Sequence, residues 1–243
     1  VFIIISKFFK KRILKVVIPF LSWATIMFVW KIFIVKSISL EGVNTPIKLL
    51  NSFFANKEES TYYFMFEVLA IYMIMPLLSL LTSEKYRKTL WLTVLLFFVF
   101  NGFIPNICRL IGINWYSGFG VPLNGYVVYV ILGYLLSTTN SKFVLNSKQM
   151  ILLLLFTFIG ISYRYISTFV LSTTSGIVNK TTWGYSSWHC MLLTVFVFLL
   201  IKNSKLLQKI SKNPKIYNVI AKISSCSFGI YLIHLIIKYY FVM

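Results

Sequence analysis

Long apolar stretches alternate with short polar segments along the whole chain. Seven are long enough to cross a bilayer, at roughly 13–36, 62–81, 89–106, 119–138, 149–171, 186–202 and 224–242. Hydrocarbon offers no partner to an unpaired backbone group, so such stretches are expected to be helices packed together. The period-2 alternation of a barrel strand is absent. The pattern predicts an all-α, polytopic transmembrane helix bundle forming one membrane-embedded domain over residues 1–243. The first residues, Val1 to Ile5, are apolar but too few to span, and the cations follow them. A signal peptide would carry its cations first. Residues 1–6 are therefore expected to close a membrane helix whose beginning lies upstream.

Composition sharpens this picture. Of 243 residues 58% are apolar and only 12% charged, against about 25% charged in an ordinary soluble domain. The 24 Lys and Arg face 5 acids, all Glu, for a net charge of +19. That charge could suit nucleic acid, but a mean hydropathy of +0.83 excludes a water-exposed basic protein, and no nucleic-acid partner is expected. The cations instead report topology. Sixteen of the 24 fall in alternate connections: Lys7, Lys10, Lys11, Arg12 and Lys15; Lys85, Arg87 and Lys88; Lys142 and Lys148; Lys202, Lys205, Lys209, Lys212, Lys215 and Lys222. These connections are expected on the cytoplasmic side of a bacterial plasma membrane.

Polar groups within spans are the candidates for chemistry, because burying them in lipid is costly. In the last span Ser224, Ser227, Tyr231, His234 and Lys238 recur at spacings of three and four, which places them on one helical face. His234 lies ~15 Å along the helix from Ser224, near the bilayer midplane. Glu67, with Tyr63 on the same face, is ~8 Å from the outer end of its span, and Arg164 is ~10 Å from the outer end of its own. Matched depth and opposite sign make Glu67 and Arg164 a candidate ion pair or two walls of one cavity. His189 falls beside Trp183 and Trp188 and is expected in an interfacial aromatic belt, like Trp115 and Tyr116. Cys108 and Cys190 map to the same side and admit a disulfide. No metal-ligand spacing, phosphate loop or nucleophile elbow occurs.

Four passages, taken in order, resemble one family. Phe8 to Trp23 (FFKKRILKVVIPFLSW) has a basic run followed by Pro-aromatic-x-x-Trp. Tyr63 to Leu78 (YFMFEVLAIYMIMPLL) is similar to a "WFLxxLIGLYLLxPLL" helix, and Tyr129 to Leu136 (YVILGYLL) to a "YFLLGYLL" segment. Ser225 to His234 (SCSFGIYLIH) resembles a closing "SFGIYLIH" signature. The family is membrane acyltransferase family 3, the integral-membrane O-acyltransferases of surface polysaccharides, and the resemblance runs from residue 8 to 240.

The resemblance implies transfer of an acyl group, usually acetyl, from cytoplasmic acyl-CoA as co-substrate to a hydroxyl of an extracytoplasmic glycan or lipid-linked glycan, with no bound cofactor. The family's principal catalytic His belongs to its first membrane helix, which these residues do not include. Its RxxR-like motif corresponds to Arg12-Ile-Leu-Lys15, where a Lys replaces the second Arg. From the polar groups within the spans, rather than by carry-over from the family, His234 and Glu67 are the expected catalytic groups, and Lys11, Arg12, Lys15, Tyr63, Arg164 and Tyr231 are the expected substrate-binding ones. Glu67 departs from the family, which usually carries an uncharged residue there. The alternative reading is a transporter or flippase for lipid-linked sugars, which predicts inverted repeats and broken midplane helices. No internal symmetry is found in the sequence.

Overall fold

A computed structural model describes residues 2–30, 62–116, 118–138, 146–204, 209–210 and 212–242. The helices are α1 (Phe2–Arg12), α2 (Ile18–Trp30), α3 (Tyr63–Leu80), α4 (Arg87–Phe97), α5 (Ile104–Leu110), α6 (Gly125–Thr138), α7 (Ser147–Ser175), α8 (Trp188–Asn203) and α9 (Pro214–Val242). No strand occurs among the described residues. Four helical stretches, Tyr63–Leu80, Glu84–Leu110, Lys148–Thr174 and Pro214–His234, are long and apolar enough to cross a membrane. The all-α membrane fold is as expected.

The chain divides into two compact units, Val1–Leu77 with Lys215–Met243, and Leu78–Pro214. In the first unit α1 and α2 join through a π-helical turn, Ile13–Val17. Pro19 explains the turn: it offers no N–H, and its ring opposes the carbonyl four residues back, Lys15, so one widened turn absorbs the clash. The same device recurs at Pro105. The π segment Phe98–Phe103 joins α4 to α5 and contains Asn101, the residue four before that proline. The core of the first unit comprises Phe20, Met27, Tyr62, Met65 and Leu232. Phe20 meets Tyr62 and Phe66 edge-on, at 5.7 and 5.8 Å between ring centroids. The Trp23 indole Nε1 donates to the Leu232 carbonyl at 2.6 Å, fixing α2 against α9.

In the second unit α7 packs on α8, and α4 on α6. An Asn146 capping box starts α7: Asn146 Oδ1 accepts from the Lys148 N–H at 2.7 Å and Gln149 Oε1 from the Asn146 N–H at 3.0 Å. Gly176, at φ +70°, ends it by donating its N–H back to the Ser172 carbonyl. Two glycines set how closely the helices approach. A Cβ on Gly160 would lie 2.8 Å from the His189 Cβ, and one on Gly102 would lie 3.0 Å from the Ser186 carbonyl. The start of α8 is thereby held between the π segment and α7. At the far end of α8, Lys202 Nζ donates to the Leu136 carbonyl at 2.5 Å, placing a cation on the C-terminus of α6.

Three expected boundaries move. Residues 7–12 and 214–223, expected as polar connections, are helical and continue α1 and α9. The span expected at 119–138 is helical only from Gly125, giving ~21 Å of helix. Asn101 holds the preceding segment in a non-helical, turning path: its Oδ1 accepts from the Val121 N–H at 2.8 Å and its Nδ2 donates to the Val121 carbonyl at 3.2 Å. Residues 31–36 of the first expected span lie outside the described residues. Elsewhere the surface is what a bilayer requires, since Phe158, Ile166 and Phe169 of α7 are all mostly exposed.

Candidate active site

Most of the residues singled out by sequence lie in the first unit. The Arg12 guanidinium stands over two rings, 5.3 Å from the Phe8 centroid and 4.7 Å from that of Tyr72. Its Nε is buried without a hydrogen-bond partner. Lys11 and Lys15 are exposed, Lys15 within the π turn. Trp23 follows Arg12 by eleven residues, so the Trp23–Leu232 contact is ~16 Å along the helix from the cation cluster.

At that deeper level Tyr231 packs against Tyr62, Phe64 and His234, at 6.4, 5.8 and 5.4 Å between centroids. His234 is half-buried, and its Nδ1 meets the Tyr231 carbonyl of its own helix. A carbonyl only accepts, so Nδ1 carries the proton in this contact and Nε2 is the ring nitrogen it leaves uncommitted. Tyr63 is exposed at the first turn of α3, and Glu67 lies one turn further, half-buried. The polar face expected on the last span is therefore divided. Tyr231 and His234 turn toward the core, whereas Ser224 and Ser227 are exposed and Ser227 Oγ donates back to the Ser224 carbonyl at 2.7 Å. The Lys238 side chain lies outside the described residues.

Arg164 belongs to the second unit. It stands 5.4 Å from the Trp183 ring and lines a cleft of about 720 Å³ between α7 and α8, together with Tyr165, Thr168, Trp183 and His189. The loop after α7 is fastened over this region. Trp183 Nε1 donates to Thr168 Oγ1 at 3.0 Å, Arg109 donates to the Thr181 carbonyl at 2.8 Å, and the Tyr129 hydroxyl donates to the Tyr185 carbonyl at 2.7 Å.

His189 corrects an expectation. It is not a rim residue of an aromatic belt but is 3% exposed, and neither ring nitrogen has a hydrogen-bond partner. Trp188 is buried beside it, whereas Trp183 and Tyr116 are exposed. Gly160, one helical turn before Arg164, was the available signal: with no Cβ at that position, α8 can lay His189 against α7. Cys108 and Cys190, whose placement admits a disulfide, are free thiols.

Taken together, the long apolar helices, the exposed apolar faces and the polar groups held between helices define a polytopic membrane protein with chemistry-bearing side chains inside the bilayer. The acyltransferase domain family, acyltransferase 3, matches residues 2–243, and the chain belongs to it. It is a membrane acyltransferase. No curated protein and no solved structure matches the chain.

Proposed function

We propose that this acyltransferase moves an acetyl group from cytoplasmic acetyl-CoA to a hydroxyl of a cell-surface polysaccharide on the far side of a bacterial plasma membrane. The observation that carries this reading is the spacing inside the first unit. A cation cluster (Lys11, Arg12, Lys15) surrounds the π turn of the helical rod α1–α2, and Trp23, ~16 Å further along that rod, donates to the carbonyl of Leu232, two residues before His234 on α9. CoA is a polyphosphate, and Arg12, already stacked on Tyr72, offers a planar donor fork for phosphate with Lys11 and Lys15 as point charges beside it. Its thioester arm then extends along the rod toward the Tyr231–His234 level.

There the chemistry needs a base and a shaped wall. His234 Nε2 accepts the proton of the sugar hydroxyl as its oxygen attacks the thioester carbon. The C–S bond breaks, the acetyl ester forms, and the thiolate of CoA takes up the proton. His234 performs this alone or assists the histidine that the family places in its first helix. Tyr63 and Tyr231 line the acyl path, and Glu67, one turn from Tyr63, orients the acceptor hydroxyl.

The test uses membrane vesicles from the native host, supplied on the cytoplasmic face with acetyl-CoA labelled in its acetyl group. Label is expected in the polysaccharide fraction and released by mild base, as an O-ester requires. Transfer from another acyl donor, or label confined to phospholipid, would replace the substrate assignment while leaving the family intact.

A further inference from the structure

The cleft between α7 and α8 has the chemistry of an anion site open to lipid. Arg164 is its central cation. Within unit 2, residues 78–214, the only acid in the sequence is Glu84, and it pairs with Arg87 at 2.9 Å. Among the described residues no carboxylate pairs with Arg164. A guanidinium lining a largely apolar cleft is stabilised by a bound anion.

Three further features carry the same sign. Lys180 stands 5.7 Å from the Trp183 ring, the ring that Arg164 also faces. His189, 3% exposed and with both ring nitrogens unpartnered, lines the same cleft and has an N–H to donate in either tautomer. The N-terminus of α8 ends there too, and no side chain caps it. A helix N-terminus presents partial positive charge to anions.

The remaining lining is apolar and outward-facing. Tyr165 is 73% and Phe169 71% exposed, on the α7 face that also shows Phe158 and Ile166. A small soluble anion would use the charged base of the cleft and leave this wall bare. An amphiphile uses both. Depth agrees: Arg164 precedes the end of the 29-residue α7 by eleven residues. That helix is ~43 Å long against a hydrocarbon thickness of ~30 Å, so Arg164 lies ~10 Å inside the apolar layer on the Lys180 side, and its long side chain extends toward the headgroups.

We propose that this cleft binds an anionic phospholipid of the surrounding bilayer. Its phosphate is held by Arg164, Lys180 and the His189 N–H, and an acyl chain lies along Tyr165 and Phe169. The proposal does not rest on the acyl-transfer reading, and its test does not use turnover.

The purified chain is placed in mixed micelles of phosphatidylcholine and phosphatidylglycerol, the latter brominated on its acyl chains. Bromine quenches nearby indoles, so fluorescence should fall as brominated phosphatidylglycerol replaces the unlabelled lipid. Trp183→Phe should remove most of the quenching that saturates at low mole fraction. Arg164→Gln should weaken apparent affinity about tenfold, the loss expected for one charge-assisted contact, and Arg164→Lys should restore part of it. Lys180→Gln, at a loop position that leaves α7 and α8 intact, should weaken binding by a smaller factor and covers the case in which Arg164→Gln fails to fold. Equal quenching by brominated phosphatidylcholine, or no change in either charge variant, overturns the proposal. Complete displacement by millimolar inorganic phosphate alone would make it a free-phosphate site, and overturns the lipid assignment as well.

Discussion

Gly160 lies against His189 so closely that a methyl group on Gly160 would fall 2.8 Å from the His189 Cβ and 3.2 Å from its Cα. Small residues let membrane helices approach at the distance where backbone packing replaces the missing hydrophobic drive. Here that approach also carries a polar ring into the protein interior. One glycine on α7 therefore determines both the α7–α8 interface and the placement of the most buried histidine described in the chain.

Gly160→Ala should accordingly push α8 away from α7. The obstruction includes backbone atoms, so it is not relieved by a rotamer change, and overpacking of this kind costs about 1–3 kcal/mol. A fall in the thermal midpoint in detergent should accompany faster labelling of Cys190 by a thiol reagent. An unchanged midpoint would mean that the helices separate without penalty.

Trp23→Phe keeps the ring but deletes the donor to the Leu232 carbonyl. Interhelical hydrogen bonds in membrane proteins are worth about 0.6 kcal/mol on average and rarely more than about 1.7. The expected loss is therefore small, readable as a modest drop in the unfolding midpoint. Trp23→Ala also removes buried ring area beside Phe20 and Met27 and should cost several times more. Equal effects in the two variants would show that the indole N–H contributes nothing.

Asn101→Ala should release the 118–124 segment. Asn101 serves both the N–H and the carbonyl of Val121, and leaving such groups unpaired costs about 1–3 kcal/mol each where they are buried. Hydrogen exchange should accelerate at Val121 and its neighbours while α4 remains protected. Exchange rising equally across α4 and α6 would instead make Asn101 a general stability residue.

The helices themselves were legible from hydropathy because lipid leaves the backbone no alternative. Their ends were not. Lys7 to Arg12 and Lys215 to Lys222 look like loops by hydropathy, yet lysine and arginine are good helix formers whose charges can leave the apolar layer as the helix continues. The short α6 depended on Asn101, twenty residues away from Val121, which no local pattern reveals. Among candidate site residues, Tyr231 and His234 do meet, because a helix face is a local property. His189 was misplaced because its burial is decided by Gly102 and Gly160 on other helices, and the Trp residues around it imitate an interfacial belt.

Topology can be read directly. In a background where Cys108, Cys190 and Cys226 are replaced by Ser, Lys180→Cys should react with an impermeant maleimide on intact cells. Lys85→Cys and Lys209→Cys should react only after permeabilisation. Labelling of position 209 from outside would reverse the orientation and remove the cytoplasmic CoA-binding role from Lys11, Arg12 and Lys15.

His234 carries the sharpest expectation for function. Its Nδ1 is committed to the Tyr231 carbonyl, so only Nε2 remains to act on a substrate. General acid–base groups typically contribute about 10²–10⁴ in rate, and His234→Ala should reduce polysaccharide O-acylation by about a hundredfold or more at equal protein level. Loss of the ring beside Tyr231 could also disturb packing, so the thermal midpoint must be measured alongside. His234→Gln separates the roles: its amide can donate and accept hydrogen bonds but does not titrate near neutrality. Activity retained in Gln and lost in Ala assigns His234 to positioning the reactants. Activity lost in both, with an unchanged midpoint, assigns it to proton transfer. Near-native acylation in His234→Ala would leave it a packing residue of α9, and the base would have to be sought on another helix.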